Sequence, residues 1–273
     1  MKKDTALDRS ASEQADRLDE ILDSFPRLLV AYSGGVDSAC LLKAAHQRLG
    51  SRVLGMIADS PSLPRAELTD ALLLAKRIGV QVEVAHTGEF SNPDYLANSP
   101  NRCYFCKHEL FEKMEMLARE RGFSVLAYGE NADDTGEIRP GARAAVKFQV
   151  RAPLREAGLT KADVRALSAK WGLPTADKAA SPCLSSRIPH GTPVSIEALA
   201  RIEAAEAAVR CLGFRIFRLR HHGDCARLEF APDDLTRAMS NNWQPRIARA
   251  VLATGYREVE FDPHGYRGKN GLR

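Results

Sequence analysis

Two groups of residues in this 273-residue chain have the types and spacing to do chemistry: a glycine-rich turn near the start and three cysteines spread over eighty positions. Ser33-Gly34-Gly35-Val36-Asp37-Ser38 follows an apolar run, Leu28 to Tyr32, and opens an amphipathic segment. Paired glycines let backbone approach a ligand closely, and the N–H groups and dipole of a helix start favour phosphate. The hydroxyls of Ser33 and Ser38 can donate to phosphate oxygens, and Asp37 can hold a Mg²⁺ that screens a polyphosphate. No Lys follows the glycines, so this is not a Walker loop, and the spacing is not that of a dinucleotide fingerprint. The bland alternative is a strand–helix turn whose glycines serve packing alone.

The second group is Cys103-x-x-Cys106, preceded by Pro100-Asn101-Arg102, with Cys183 far downstream in Ser181-Pro182-Cys183-Leu184-Ser185-Ser186-Arg187. A lone C-x-x-C fits half of a zinc site, a redox dithiol or a cluster site, and simple thiols or a reversible disulfide stay open beside these. A structural zinc site wants a fourth ligand, and there is no second C-x-x-C. Three thiolates would instead leave one iron of a 4Fe–4S cluster without a protein ligand. Cys40, Cys211 and Cys225 read as small core residues.

These groups need a scaffold, and periodicity supplies one. Leu18, Ile21, Leu22 and Phe25 mark a lead-in helix over residues 1–26. Short apolar runs at 28–32, 53–58, 80–85 and 123–128 alternate with helical patterns at about 37–49, 64–78, 104–121 and 161–171. That order predicts βαβ units and a parallel sheet covered on both faces. A further strand is expected at 150–153, and residues 131–149 read as an irregular, ligand-binding loop. Residues 173–195 hold four prolines and no usable periodicity, which puts a domain junction there. The expected division is a phosphate-loop domain over 27–180 and, over 181–273, the Cys183 loop plus a small α+β subdomain. The latter takes a helix at 195–212, strands at 214–221 and 225–230, a helix at 233–254 interrupted at Pro245, and a strand at 257–261.

Composition narrows the partners. Thirty-nine basic and 35 acidic residues give a net charge of +4, but the two signs are interleaved. That suits a small anionic ligand and offers no basic stripe for nucleic acid. Met1 to Ser10 has no apolar core of a signal peptide, and no apolar stretch approaches the ~20 residues of a membrane span. The expectation is a cytoplasmic protein without nucleic-acid or membrane partners, whose cysteines are not a disulfide frame.

Ser-Gly-Gly-Val-Asp-Ser resembles the PP-loop of the ATP pyrophosphatases. Five segments occur in one order: this loop, Asn101-Arg102-Cys103-Tyr104-Phe105-Cys106-Lys107, Asn131 to Gly141, Ser181 to Gly191, and Arg218 to Asp224. Together, from about Leu28 to about Asp262, they are similar to the LarE family of ATP-dependent sulfur transferases. That resemblance implies an α/β, adenine nucleotide α-hydrolase-like domain and ATP with Mg²⁺ as cofactors. It implies nucleotide binding by Ser33, Gly34, Gly35, Asp37 and Ser38, with adenine near Met56 at the end of the second strand and a further segment at Gly129.

The implied reaction adenylates a carboxylate of pyridinium-3,5-biscarboxylic acid mononucleotide, releases pyrophosphate and yields a thiocarboxylate for the nickel-pincer nucleotide of lactate racemase. One branch of the family consumes the cysteine matching Cys183. The branch with two additional cysteines is thought to carry sulfide on a 4Fe–4S cluster, and Cys103 and Cys106 place this sequence there, favouring cluster ligation by Cys183 over its sacrifice. Arg187 is expected at the catalytic centre, with Arg139, Arg143, Arg218 and Arg220 as further cations for substrate phosphate or carboxylate. A solvated surface role is the alternative for each. Glu206 and Glu229 could bind a metal, although solvated surface acids are commoner. A sulfide or other sulfur donor, nickel-pincer pathway proteins and a homo-oligomer are the implied partners. The rivals are a transfer-RNA thiolating enzyme, an amide-forming synthetase, which leaves the cysteines unexplained, and a non-enzymatic nucleotide or metal module.

Overall fold

The computed structural model describes residues 4–136 and 140–266. The chain forms two compact units, one running to Asn92 and resuming over Pro100–Ser181, the other made of Pro93–Ser99 and the chain from Pro182 onward.

The first unit begins with helix α1 (Asp4–Asp23), strand β1 (Leu28–Ala31), α2 (Val36–Leu49), β2 (Val53–Asp59), α3 (Arg65–Ile78) and β3 (Val82–His86). One short helix, α4 (Pro93–Leu96), belongs to the second unit. The first then resumes with α5 (Arg102–Arg121), β4 (Val125–Tyr128), α6 (Pro140–Lys147), α7 (Pro153–Glu156) and α8 (Lys161–Lys170). Its four strands lie in the order β3-β2-β1-β4, and every pairing is parallel.

β1 is central, and Leu28, Leu29 and Val30 are fully buried, which is why its sequence is continuously apolar instead of alternating. Leu28 and Val30 pack with Leu18, Leu22, Leu41, Leu42 and Val164 on one face. Leu29, Leu54 and Met56 pack with Phe111, Met114 and Ala145 on the other. The chain leaves β1 at its C-terminal edge, where ligand sites of open parallel sheets form.

Three elements differ from the sequence expectation. Residues 150–153 make no strand: Arg151 forms a single bridge to Ala127, and Pro153 already starts α7. Proline has no N–H to give a ladder but suits a first helical turn. The stretch 131–149 is not wholly irregular, since it contains a 3₁₀ turn (Ala132–Gly136) and α6. The buried face of α6 is Gly141, Ala144 and Ala145, too small to announce itself as a hydrophobic stripe. In the second unit, the expected 233–254 helix is two helices, and Pro245 sits in the first turn of the second, not at a kink.

That unit contains α9 (Ile196–Cys211), β5 (Phe217–His222), β6 (Cys225–Phe230), α10 (Pro232–Ala238), α11 (Gln244–Leu252) and β7 (Glu258–Phe261). β5 and β6 pair antiparallel, and β7 pairs parallel to β6. Phe214, Phe230, Ile202, Val209, Leu219 and Val251 are fully buried.

Candidate active site

The loop after β1 has the shape its sequence implies, held mainly by close packing. Gly34 has φ +69°, and a Cβ there would also lie 2.6 Å from Ala71 Cβ. Gly35 caps α2 without a side-chain hydrogen bond, so the helix start is left to backbone N–H groups. A Cβ on Gly129, just past β4, would fall 2.6 Å from Ser38 N and 2.8 Å from Asp37 C. Gly129 therefore lets β4 lie directly beneath the first turn of α2.

The two serines have different places. Ser38 is buried; its hydroxyl accepts from Ser33 N–H (3.1 Å) and donates to Gly35 O (3.2 Å). Ser33 is exposed, with its own hydroxyl 3.0 Å from that of Ser38. Met56 is buried in the core, and its carbonyl accepts from Tyr32 N–H at 2.8 Å, so it can border a nucleotide only by position.

Asp37 is engaged on both oxygens. Oδ1 accepts from Asn131 Nδ2 at 3.1 Å, and Oδ2 accepts from Lys161 Nζ at 2.6 Å. Lys161, 124 residues further along, is the first residue of α8. A Thr160–Asp163 capping box fixes that helix start, and Lys161 N–H donates to Asp133 Oδ2 at 2.8 Å. Lys178 reaches the same loop from 144 residues away, with Nζ 3.3 Å from Gly34 O and 2.5 Å from Glu67 Oε2. A loop with no lysine of its own thus has two brought to it by the fold. The capping box is legible in the sequence; the partner of the lysine beside it is not.

Cys103 and Cys106 lie in the first turn of α5, three residues apart and hence on one face. Cys103 is exposed and Cys106 partly so. Lys107 follows them and is largely withdrawn from water, which pulls its pKa down, against the nearby carboxyl of Glu130 and the two thiols, which raise it. Its Nζ stands 4.7 Å over the Tyr128 ring, and Gly141 leaves room for its stem: a Cβ there would lie 2.6 Å from Lys107 Cδ. Arg143 is exposed on α6, its guanidinium 5.4 Å over the Tyr104 ring. Arg139 lies outside the described residues.

In the second unit, Cys183 precedes a 3₁₀ turn, Leu184–Arg187, within the proline-rich segment. Buried side chains replace periodic structure there. Asn98 donates through Nδ2 to the carbonyls of Pro189 and Thr192 at 2.8 Å each, and Tyr95 Oη is 2.9 Å from Ser185 Oγ. Arg187 is buried and forks onto Glu206, with Nε to Oε1 at 2.8 Å and Nη2 to Oε2 at 3.2 Å. Its Nη1 donates to the carbonyls of Pro182 and Cys183. Arg187 is therefore a brace behind Cys183, and Glu206 is neither solvated nor a ready metal ligand but a buried counter-ion, shared with Arg210 at 2.9 Å.

Glu229 likewise pairs with Arg220, Nε to Oε1 at 3.0 Å, and Arg220 also reaches Ser186 O at 3.4 Å. Arg218 instead donates to the Tyr266 hydroxyl at 2.8 Å, a neutral partner. Burial, with the neighbouring Arg220 and Arg187 cations, pulls its pKa down. An incoming phosphate or carboxylate would relieve that burden.

Among the remaining cysteines, Cys40 is fully buried, and burial pushes its thiol up to about 12. Burial also raises Cys225, and Cys211 is exposed at the end of α9. Among the described residues no three His, Cys, Asp or Glu side chains gather into a metal-ligating group, and no helix is long and apolar enough to cross a membrane.

No family model matches the chain. It is 38% identical to the uncharacterized protein slr1717 of Synechocystis sp. over 252 residues, covering 92% of this chain and 94% of that protein. It is 33% identical to the pyridinium-3,5-bisthiocarboxylic acid mononucleotide synthase of Lactiplantibacillus plantarum over 247 residues, 90% of this chain and 89% of the relative. The tRNA-specific 2-thiouridylase MnmA of Geobacter metallireducens matches at 28% over 196 residues, but over only 57% of this chain and 53% of its own length. The parallel sheet and these relatives agree on an α/β, adenine nucleotide α-hydrolase-like fold.

Proposed function

The chain belongs to the LarE family of ATP-dependent sulfur transferases, and from that membership we propose that it converts a carboxylate of pyridinium-3,5-biscarboxylic acid mononucleotide to a thiocarboxylate, a step toward the nickel-pincer nucleotide of lactate racemase. What supports this most is the extent of the match to the bisthiocarboxylic acid mononucleotide synthase, 90% of this chain, both units included. The transfer-RNA thiolase match covers little more than half of the chain, which favours the small nucleotide over RNA.

In this reading the β1–α2 loop holds the ATP phosphates on its backbone N–H groups and the Ser33 hydroxyl, while Asp37 ligates Mg²⁺. A carboxylate oxygen of the substrate attacks the α-phosphorus, the bond to the bridging oxygen breaks, and pyrophosphate leaves. The acyl adenylate turns a poor electrophile into one with a good leaving group. An anionic sulfur then adds to the acyl carbon, and AMP departs with the former carboxylate oxygen. Arg218 and Arg220 hold the phosphate or the second carboxylate of the substrate, with Arg143 and Arg139 as further cations. Arg187 acts through its hold on the Cys183 backbone.

Cys103, Cys106 and Cys183 are the soft donor set that a 4Fe–4S cluster takes, and the accessible Cys103 and half-buried Cys106 on one face of α5, with the Lys107 cation beside them, suit anionic sulfur. When bound, such a cluster supplies a reusable carrier for sulfide. Without it, Cys183 would give up its own sulfur. The reading places the enzyme in the cytoplasm as a homo-oligomer working beside other nickel-pincer enzymes.

The test is an anaerobic preparation assayed with ATP, sulfide and the mononucleotide. Wild type is expected to hold about four iron atoms per chain and to release pyrophosphate only with the pyridinium substrate. Cys106→Ala should lose most of the iron and the sulfur transfer yet keep pyrophosphate release. Stoichiometric zinc in wild type would overturn the cluster, and pyrophosphate release without any acceptor would overturn the substrate.

A further inference from the structure

The contact between Lys161 and Asp37 is more than a surface ion pair. Lys161 Nζ lies 2.6 Å from Asp37 Oδ2, and Asp37 is the carboxylate that the nucleotide reading gives to Mg²⁺. The backbone on both sides is fixed. Asp37 is in the first turn of α2, and Lys161 is the first residue of a capped α8, tied through its own N–H to Asp133. The lysine side chain, 38% exposed, is the part free to change partner.

We propose that Lys161 is an exchangeable counter-ion: it holds Asp37 while the loop is without nucleotide, and yields that oxygen to Mg²⁺ as its ammonium moves onto the ATP polyphosphate. The charges balance at each stage. One ammonium and one carboxylate pair before binding. Afterward the divalent ion lies between Asp37 and the phosphates, and the displaced ammonium meets phosphate charge that Mg²⁺ alone leaves unneutralised. Asn131, on the other oxygen of Asp37, keeps the carboxylate oriented through the exchange. A partly exposed ion pair is weak enough to give way, whereas a charge-assisted bond to phosphate is stronger. The exchange supplies the cation that a Walker lysine gives to other phosphate loops, but from a different helix.

This inference rests on the ATP reading of the loop, and the test separates the two. Mn²⁺ binding is measured by electron paramagnetic resonance without nucleotide, and metal-free ATP binding by calorimetry, for wild type, Lys161→Gln and Lys161→Arg. Lys161→Gln should bind Mn²⁺ alone about two- to fivefold more tightly, because its competitor is gone, and metal-free ATP about tenfold more weakly. Lys161→Arg should stay near wild type in both. Unchanged or weaker Mn²⁺ binding in Lys161→Gln would overturn the exchange. Failure of wild type to bind ATP in any form would overturn the nucleotide reading instead, while tighter Mn²⁺ binding in the variant would still uphold the competition for Asp37.

Discussion

Gly129→Ala is expected to lower substrate-dependent pyrophosphate release at least a hundredfold while leaving a folded protein. The added Cβ would fall 2.6 Å from Ser38 N and 2.8 Å from Asp37 C, and both are backbone atoms that cannot swing aside. Relief requires β4 and the start of α2 to part. Overpacking of this kind costs about 1–3 kcal/mol, which a unit with a core on both faces of its sheet can absorb. Phosphate positioning is far less forgiving, since displacement by about 1 Å can cost a factor of about 10² in rate. Circular dichroism and a steady-state pyrophosphate assay on the same preparation check both halves. A variant of near-wild-type rate would mean that the loop's placement against β4 does not matter for catalysis.

The second large effect is on stability. Arg187→Met should destabilise the second unit by about 3 kcal/mol, because breaking a buried ion pair from one side strands the other charge. Glu206 is essentially inaccessible, and Arg210, at 44% exposure, remains as its only cation on the described residues around it. The same substitution frees the carbonyls of Pro182 and Cys183 from the guanidinium, so sulfur transfer should fall with stability. The double variant Arg187→Met/Glu206→Leu should regain most of the stability but not the activity, since replacing both charges by apolar groups is often near neutral. Urea unfolding of the three proteins decides the matter. A loss below about 0.5 kcal/mol, the scale of exposed pairs, would show the bridge to be energetically idle.

How much of this was legible in the sequence depends on how local each feature is. The phosphate loop could be read residue by residue, because a buried strand, two glycines and a helix start are contiguous. Helix stops at Gly79 and Gly122 were equally plain. α6 has no such signal, because alanines and a glycine form its buried face. The Pro153 turn reads as a strand end because an apolar pair beside a proline looks the same in either state.

In the site, residue types were visible and partners were not. Arg187 reads as a substrate cation because it lies in an irregular segment, but nothing in the chain announces that Glu206, nineteen residues on, will bury itself against it. The same holds for Lys161 and Lys178, and for Asn98, whose single amide fixes two carbonyls of the proline-rich segment. Long-range pairing of charged groups has no periodicity from which to be read.

The most direct measurement is mass spectrometry of the pyridinium mononucleotide after anaerobic turnover with ATP and isotopically labelled sulfide. The expected product carries labelled sulfur in place of a carboxylate oxygen, with AMP and pyrophosphate formed in step with it. A product that keeps all its oxygen while ATP is consumed, or labelled sulfur found instead in transfer RNA, would contradict it.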